Sequence, residues 1–196
     1  AILDNMNRIL ITIDKIEYLL SYITHDMMEP VGYLPLGLIS GILFLIVMRI
    51  LRKLGLFRSK RSGTHRDLLF FLVIVYAAVL LKLAFFSREP GSRTTVDLTL
   101  FNTWGVTMQA HAFFVENIIM FIPFGILIPT AFPMMRNIFV CTLTALACSL
   151  SLEMFQLITG RGFCQLDDVV TNTLGAFIGY IVYKMWTAAH RALTSD

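Results

Sequence analysis

The hydrophobic residues of this chain fall into blocks that are about as long as a bilayer is thick. A helix that crosses a membrane needs about 20 consecutive, mainly apolar residues. A polar N-terminal stretch is followed by five such blocks. We therefore expect five membrane-spanning helices, at about 31–51, 68–86, 113–132, 138–158 and 169–187.

The N-terminal stretch, residues 2–24, has a different pattern. Its apolar residues recur at the spacing of one helical face, and charged and amide residues, namely Asp4, Asn7, Arg8, Asp14 and Glu17, occupy the rest, which is typical of an amphipathic helix. It is too polar to cross a membrane, so we expect it to lie at the interface or against a partner. The apolar face contains Leu3, Met6, Ile9, Leu10, Ile13, Ile16, Leu20 and Ile23.

Composition supports an all-α integral membrane protein. The chain is 57% hydrophobic and only 15% charged, with a mean hydropathy of +0.74. A soluble domain has about 45–50% apolar and about 25% charged residues. The net charge of +3 does not indicate nucleic-acid binding, because the bases concentrate in one loop. One alternative stays open: Pro123, Pro129 and Pro133 interrupt helical hydrogen bonding in the third block, which would then be re-entrant.

The distribution of basic residues predicts the orientation. The connection from residue 49 to residue 66 carries seven bases and no acid, and such loops face the cytoplasm. Five crossings then place the N-terminus outside and the C-terminus inside, with the loops at 87–112 and 159–168 both outside. The seven bases are Arg49, Arg52, Lys53, Arg58, Lys60, Arg61 and Arg66.

Polar side chains interrupt three of the blocks at matching depth. An ionisable group inside a bilayer costs roughly 2.5–3.5 kcal/mol on insertion scales, so three such interruptions at one level indicate a shared polar pocket below the outer surface. Arg161 is its expected counter-charge and Lys82 a second candidate. The polar residues are Glu116 and Asn117, Glu153 and Gln156, and Asp168 and Asn172.

Helical spacing gives these residues common faces. Glu153 and Gln156 are three residues apart, and Asp168 and Asn172 are four apart, so each pair faces one way. Gly175 and Gly179 continue the second face as a small-xxx-small pair, which lets a neighbouring helix approach closely. Asp167, by contrast, reads as a solvated residue at the start of its helix.

Redox chemistry, metal binding, phosphate binding and nucleophilic catalysis have little support in the sequence. The three cysteines form no CxxC pair, and the chain has no metal-ligand spacing, Gly-rich phosphate loop or GxSxG nucleophile motif. We therefore predict no metal and no cofactor. His111 is interpreted as a surface histidine, and Phe101 and Trp104 as interfacial anchors. The polar set would also suffice to fasten helices together without any ligand.

Four stretches resemble a known family. They are 116–125 (ENIIMFIPFG), 152–156 (LEMFQ), 160–175 (GRGFCQLDDVVTNTLG) and, more weakly, 96–102 (VDLTLFN). Their order and spacing are similar to those of the VanZ-like bacterial membrane family, over residues 68–186. The resemblance implies motif roles for Asn117, Pro123, Gly125, Glu153, Gln156, Arg161, Asp168, Asn172 and Gly175.

The resemblance also implies a biological setting. The family is associated with low-level resistance to teicoplanin, a lipid-tailed glycopeptide that binds cell-wall precursors outside the plasma membrane. The predicted organisation is an outer amphipathic helix (1–30), an extra spanning helix with the basic cytoplasmic loop (31–67), the VanZ-like bundle (68–187) and a cytoplasmic tail (188–196).

Three functions remain open at this stage. The first is a non-enzymatic pocket, walled by Phe113, Phe114, Phe121 and Phe155, that binds a lipoglycopeptide tail or an undecaprenyl-linked precursor. The second is an intramembrane enzyme in which Glu153 and Asp168 act as acid and base on an envelope lipid. The third, less supported, is a lipid transporter. Membrane lipids are expected partners, nucleic acid is not, and an oligomer is left open.

Overall fold

The computed structural model describes residues 2–56, 64–87, 91, 96–102, 104, 105, 107–162 and 164–194, with the backbone alone for residues 2–5, 7 and 8. Most of this part of the chain is helical, which confirms the predicted all-α class. The predicted bases Arg58, Lys60 and Arg61 lie outside the described residues.

Seven α-helices occupy the described residues. Two short turns of other helical types join them: a π-turn at Lys82–Phe86 and a 3-10 turn at Pro133–Arg136. Two-residue strands, β1 (Val96–Asp97) and β2 (Cys164–Gln165), pair in parallel. The helices are α1 (Ile2–Asp26), α2 (Met28–Gly32), α3 (Leu34–Lys53), α4 (Thr64–Leu81), α5 (Met108–Ala131), α6 (Ile138–Thr159) and α7 (Leu166–Leu193).

Four helical stretches of the described chain are long and apolar enough to cross a membrane. They are Ile9–Lys53, Thr64–Phe86, Met108–Ala131 and Ile138–Thr159. The first includes α1, α2 and α3, which follow one another with single-residue breaks at Met27 and Tyr33. The predicted fifth span, α7, is also long, but it is more polar, and it buries Thr171 and Asn172 inside the bundle. The membrane character is therefore confirmed.

The prolines of α5 do not interrupt it. Thr107 caps its start by accepting a hydrogen bond from the Ala110 N–H at 3.2 Å, and the helix then runs for 24 residues through Pro123 and Pro129. Pro133 lies beyond its end, in the 3-10 turn. At 1.5 Å per residue, α5 is long enough to cross a bilayer as one continuous helix.

Helices α5 and α7 form the closest contact of the bundle. A Cβ atom on Gly175 would overlap the Ile118 carbonyl oxygen, one on Gly179 would overlap that of Ile122, and one on Gly125 would overlap that of Ala176. Glycine is therefore required at all three positions for the backbones to touch. The core beside this contact contains Phe121, Phe124, Cys141, Ala145, Ala176, Tyr180 and Tyr183.

Helices α3 and α4 pack as a hairpin beside this core. Gly37 and Gly41 of α3 face Val75 and Phe71 of α4. At the end near the basic loop, Arg52 donates two hydrogen bonds, of 2.8 and 2.6 Å, to the carboxylate of Asp67. Tyr76 then joins α4 to α5 by donating to the Met120 carbonyl at 3.1 Å.

We expect Gly175→Ala to destabilise the bundle, because its methyl group would force α5 and α7 apart. Overpacking of this kind costs about 1–3 kcal/mol. The thermal unfolding midpoint of the detergent-solubilised protein should fall by several degrees. Gly32→Ala is the matched control, since a Cβ there meets nothing within 4 Å, and it should leave the midpoint unchanged. Equal midpoints for the two variants would contradict the glycine contact.

Candidate functional site

A cavity of about 820 Å³ lies where α4 and α6 end and α5 and α7 begin. It combines apolar and polar walls. The structure places all seven predicted ligand-binding residues on its lining, although ligand binding by them stays a prediction. They are Glu116, Asn117, Glu153, Gln156, Arg161, Asp168 and Asn172.

Two amide side chains connect the three helices that carry these residues. Asn117 of α5 donates to Asp168 Oδ1 of α7 at 2.8 Å. One turn further along α7, Asn172 donates to the Ser149 hydroxyl of α6 at 2.9 Å. Ser149 is fully buried and Asn172 nearly so. Because buried polar groups need partners, these bonds fix how the helices face the cavity.

The turn between α6 and α7 is held by a backbone hydrogen bond and by the side chain of Glu153. Gly160 ends α6 in the left-handed region, with φ of 62°, and the Arg161 N–H then bonds the Gln156 carbonyl at 2.8 Å. This is the glycine-based helix end that captures otherwise free carbonyls. Glu153 reaches past it and accepts a hydrogen bond from the Gln165 N–H at 2.9 Å.

The π-turn that follows α4 supplies acceptors to α6 and to its loop. Gln156 Nε2 donates to the Ala84 carbonyl at 2.6 Å, and Arg161 Nη1 donates to that of Phe85 at 3.3 Å. The Arg161 guanidinium also lies 4.9 Å from the centre of the Phe85 ring, within cation–π range. A π-turn is rare and is found frequently at functional sites. Here it positions the cavity's cation.

Three residues of the lining each have a buried oxygen atom without a hydrogen-bond partner. The atoms are Glu116 Oε1, Gln156 Oε1 and Asn172 Oδ1. Gln156 and Asn172 are only 3% and 4% exposed. An unsatisfied buried acceptor costs about 1–3 kcal/mol. The three oxygens, one each on α5, α6 and α7, have almost no accessible surface, so they are enclosed by the bundle rather than open to the cavity.

The N-terminal helices contribute lining residues that the sequence did not predict. Asp26, Met27 and Glu29 line the cavity, because they lie at and just after the end of α1, which packs against α5. Tyr33 holds Glu29 by donating to its carboxylate at 2.7 Å. The sequence did contain a signal for these lining residues: two acids, Asp26 and Glu29, lie at the junction between the amphipathic helix and the first apolar block.

Part of the predicted aromatic wall is wrong. Phe113 and Phe114 line the cavity. Phe121 is instead fully buried in the core, and Phe155 is 59% exposed on the outer surface of α6.

Lys82, the second candidate for a counter-charge, is not a cavity residue. Its ammonium lies over the Tyr33 ring and donates to the Phe86 carbonyl.

Asp167 is buried rather than solvated. It is 2% exposed and accepts a hydrogen bond from the Phe101 N–H at 2.6 Å. Phe101 adopts a φ of 62°, uncommon for a residue other than glycine, and its ring stacks on that of Phe114. The hydrogen bond from Phe101 to Asp167 thus fixes the loop that follows β1 beside Phe114, a residue of the cavity wall.

The same loop is held from its other side by Asp97. Its carboxylate accepts hydrogen bonds from the Asn102 side chain and from the Thr99 N–H, which together lower the pKa of Asp97 below its usual value. Trp104 lies 4.3 Å from the His111 ring and also contacts Phe114. The predicted surface histidine and interfacial anchors therefore form one aromatic group beside the cavity.

No group of three or more His, Cys, Asp or Glu residues in the described chain is arranged to hold a metal ion. The described lining of the cavity offers carboxylates, side-chain amides and the Arg161 guanidinium.

Comparison with known proteins identifies a family for most of the bundle. Residues 68–187 match the family described as VanZ/LLP1. The chain is also similar to Protein VanZ of Enterococcus faecium, with 32% identity over 121 residues, which is 59% of this chain and 70% of that relative. No solved structure matches the chain significantly. The family resemblance that the motifs indicated is confirmed.

We expect Gln156→Glu to destabilise the protein by about 1–3 kcal/mol, because a carboxylate has no N–H to donate to the buried Ala84 carbonyl and adds a second acceptor beside it. The measurement is again the unfolding midpoint in detergent. Gln109→Glu is the matched control: Gln109 lies at the exposed start of α5, so the same substitution should be nearly neutral. A neutral Gln156→Glu would show that the π-turn does not depend on this bond.

Proposed function

The chain belongs to the VanZ/LLP1 family, and from this membership we propose that its cavity binds an amphiphile at the outer face of the bacterial plasma membrane. The observation that carries the proposal is the cavity itself. It joins an apolar wall to carboxylate, amide and guanidinium side chains at the end of the membrane helices. The ligand would be a lipid-tailed glycopeptide or an undecaprenyl-linked precursor.

The dimensions and the wall of the cavity support this ligand class. Small-molecule sites usually measure about 300–1,000 Å³ and combine an apolar wall with a few polar groups. The cavity, at about 820 Å³, falls in this range. Its apolar lining would contact a hydrocarbon tail, and it contains Met27, Leu83, Phe113, Phe114, Met120 and Leu152.

The link to resistance follows from the drug's own chemistry. Teicoplanin has a lipid tail and acts on precursors outside the membrane. A protein that holds the tail, or that holds the precursor's lipid, would change the access of the drug to its target. The proposed activity is therefore binding, without bond cleavage.

Catalysis by Glu153 and Asp168 has less support. Each carboxylate already accepts a hydrogen bond from the protein, Glu153 from Gln165 and Asp168 from Asn117. Cys164 is the nearby thiol, and burial together with the Glu153 and Asp168 carboxylates raises its pKa. A thiol that stays protonated is a poor nucleophile.

The orientation is part of the proposal. The cavity and the Arg52–Asp67 pair belong to opposite ends of the α4 helix. If the basic loop beside Arg52 is cytoplasmic, as its charge predicts, the cavity faces outward. The N-terminus is then outside and the C-terminus in the cytoplasm.

Reporter fusions test this orientation. Green fluorescent protein at the C-terminus should fluoresce, because it folds in the cytoplasm. Alkaline phosphatase inserted after Gly91, in the loop that follows α4, should be active, because it requires the outer compartment. The reverse pattern would place the cavity on the cytoplasmic side and contradict the proposal.

We expect Glu116→Gln to lower teicoplanin resistance in cells that express this protein. The substitution keeps the side chain's size and replaces a carboxyl group of the cavity lining by an amide, which cannot ionise. The measurement is the minimal inhibitory concentration, with the membrane level of each variant followed by immunoblot.

The matched control is Glu17→Gln, the same change at an exposed position of α1 outside the cavity. It should behave as the unsubstituted protein does. If Glu116→Gln reaches the membrane at normal levels and resistance is unchanged, the cavity does not act on the drug.

A further inference from the structure

We propose that α1 joins this protein to further copies of itself by forming a parallel coiled coil with their α1 helices. The inference goes beyond the proposed function and does not depend on it. Three observations carry it: a heptad repeat along α1, the exposure of that repeat, and the apolar area that it offers.

The repeat is strict. Between residues 2 and 27, apolar residues follow one another at spacings that alternate between four and three, which averages 3.5 residues. Apolar residues with this spacing, kept over three or more heptads, are the pattern of a coiled coil. We call these eight positions the seam: Ile2, Met6, Ile9, Ile13, Ile16, Leu20, Ile23 and Met27.

The described part of the bundle leaves most of the seam uncovered. The five seam residues from Met6 to Leu20 are each between 52% and 58% exposed. Helix α1 packs against α5, but its partial burial begins only at Leu19 and continues through Tyr22 to Asp26, on another face. The seam therefore precedes the contact with the bundle and is available to a separate helix.

The period of the seam favours a helical partner over a lipid surface. A straight α-helix repeats every 3.6 residues, so binding to lipid needs only a broad apolar stripe. A strict 3.5-residue repeat instead keeps one narrow line against a supercoiled neighbour. Asp14, Lys15 and Glu17 are exposed on the same turns, and charged side chains are expensive in hydrocarbon. Helix α3, with 20 residues, has the length of a span without α1.

The α1 helix of a second copy has the matching repeat. All copies in one membrane have the same orientation, so their α1 helices meet in parallel and in register, around a closed symmetry axis. Isoleucine occupies every second seam position, at Ile2, Ile9, Ile16 and Ile23. Isoleucine at this position of the heptad favours three or four strands over two.

The area of the seam is large enough for a stable assembly. A buried Ile, Leu or Met side chain removes about 60–120 Å² of apolar surface from water. Five such residues on each of three helices would remove about 900–1,800 Å². A specific protein interface needs about 1,000 Å², so the exposed seam residues meet this requirement without any contribution from the rest of the chain.

Disulfide cross-linking of the full chain in membranes tests the seam. Ile9→Cys places a thiol on the seam, and Ile11→Cys is the matched control on the opposite side of the helix. The two replaced side chains are 58% and 55% exposed. With a mild oxidant, Ile9→Cys should give at least ten times more of the disulfide-linked pair than Ile11→Cys on a non-reducing gel. The three native cysteines stay in both variants, and the unsubstituted chain gives their background. Equal yields would overturn the inference.

The number of copies is measured by light scattering of the purified chain in a neutral maltoside detergent. We expect the mass of three or four copies. Ile13→Asp should reduce it to that of one copy, because a carboxylate would enter the apolar seam, whereas Ile11→Asp should leave it unchanged. An unsubstituted chain with the mass of one copy, or the same mass for both aspartate variants, would contradict assembly through the seam.

A water-soluble maleimide distinguishes a lipid surface from a second copy. If lipid covers the seam, Ile9→Cys reacts at least tenfold more slowly than Ile11→Cys while its cross-linking stays at the control level. That result would overturn the inference. Cysteine is uncharged and both positions are exposed, so these measurements do not depend on a variant that fails to fold. Ligand binding in the cavity is a separate measurement, and either result can fail without the other.

Discussion

The contact between α5 and α7 is the constraint on which the rest of the bundle depends. Gly125, Gly175 and Gly179 let the two backbones touch, and a side chain at any of them would strike a carbonyl of the other helix. In lipid, helices are held together by close packing and hydrogen bonds rather than by the hydrophobic effect. The close approach also sets the distance at which Asn117 of α5 reaches Asp168 of α7.

The polar groups of the cavity hold the bundle together. The amide nitrogens of Asn117, Gln156 and Asn172 all donate to neighbouring elements and so fasten the bundle. A primary amide carries both a donor and an acceptor, but the oxygens of Gln156 and Asn172 are buried without a partner. The structure thus shows the fastening role that the sequence left open for these residues, and ligand binding by them stays a proposal.

The sequence predicted the parts of this arrangement that follow from hydrophobic periodicity and from the free-energy cost of burying polar side chains. The apolar blocks match the helices, and the residues that were singled out by the expense of burying carboxylates and amides all lie on the lining of one cavity. Features set by tertiary contacts were missed. The apolar pattern of α6 does not distinguish Phe155, which faces outward, from a wall residue. The roles of Asp26 and Glu29 depend on the packing of α1 against α5, which no local pattern encodes. Asp167 looked solvated because its partner, the Phe101 N–H, lies 66 residues away.

The π-turn at Lys82–Phe86 gives the end of α4 an unusual sensitivity to chain length. A π-turn holds one residue more than the α-helical turn it replaces. Removing a single residue there would allow the regular winding to continue and would rotate everything after it by about 100°. The Ala84 and Phe85 carbonyls would then turn away from Gln156 and Arg161, although no side chain of α6 had changed. Insertions and deletions in this segment should thus be rarer among related chains than its plain apolar composition suggests.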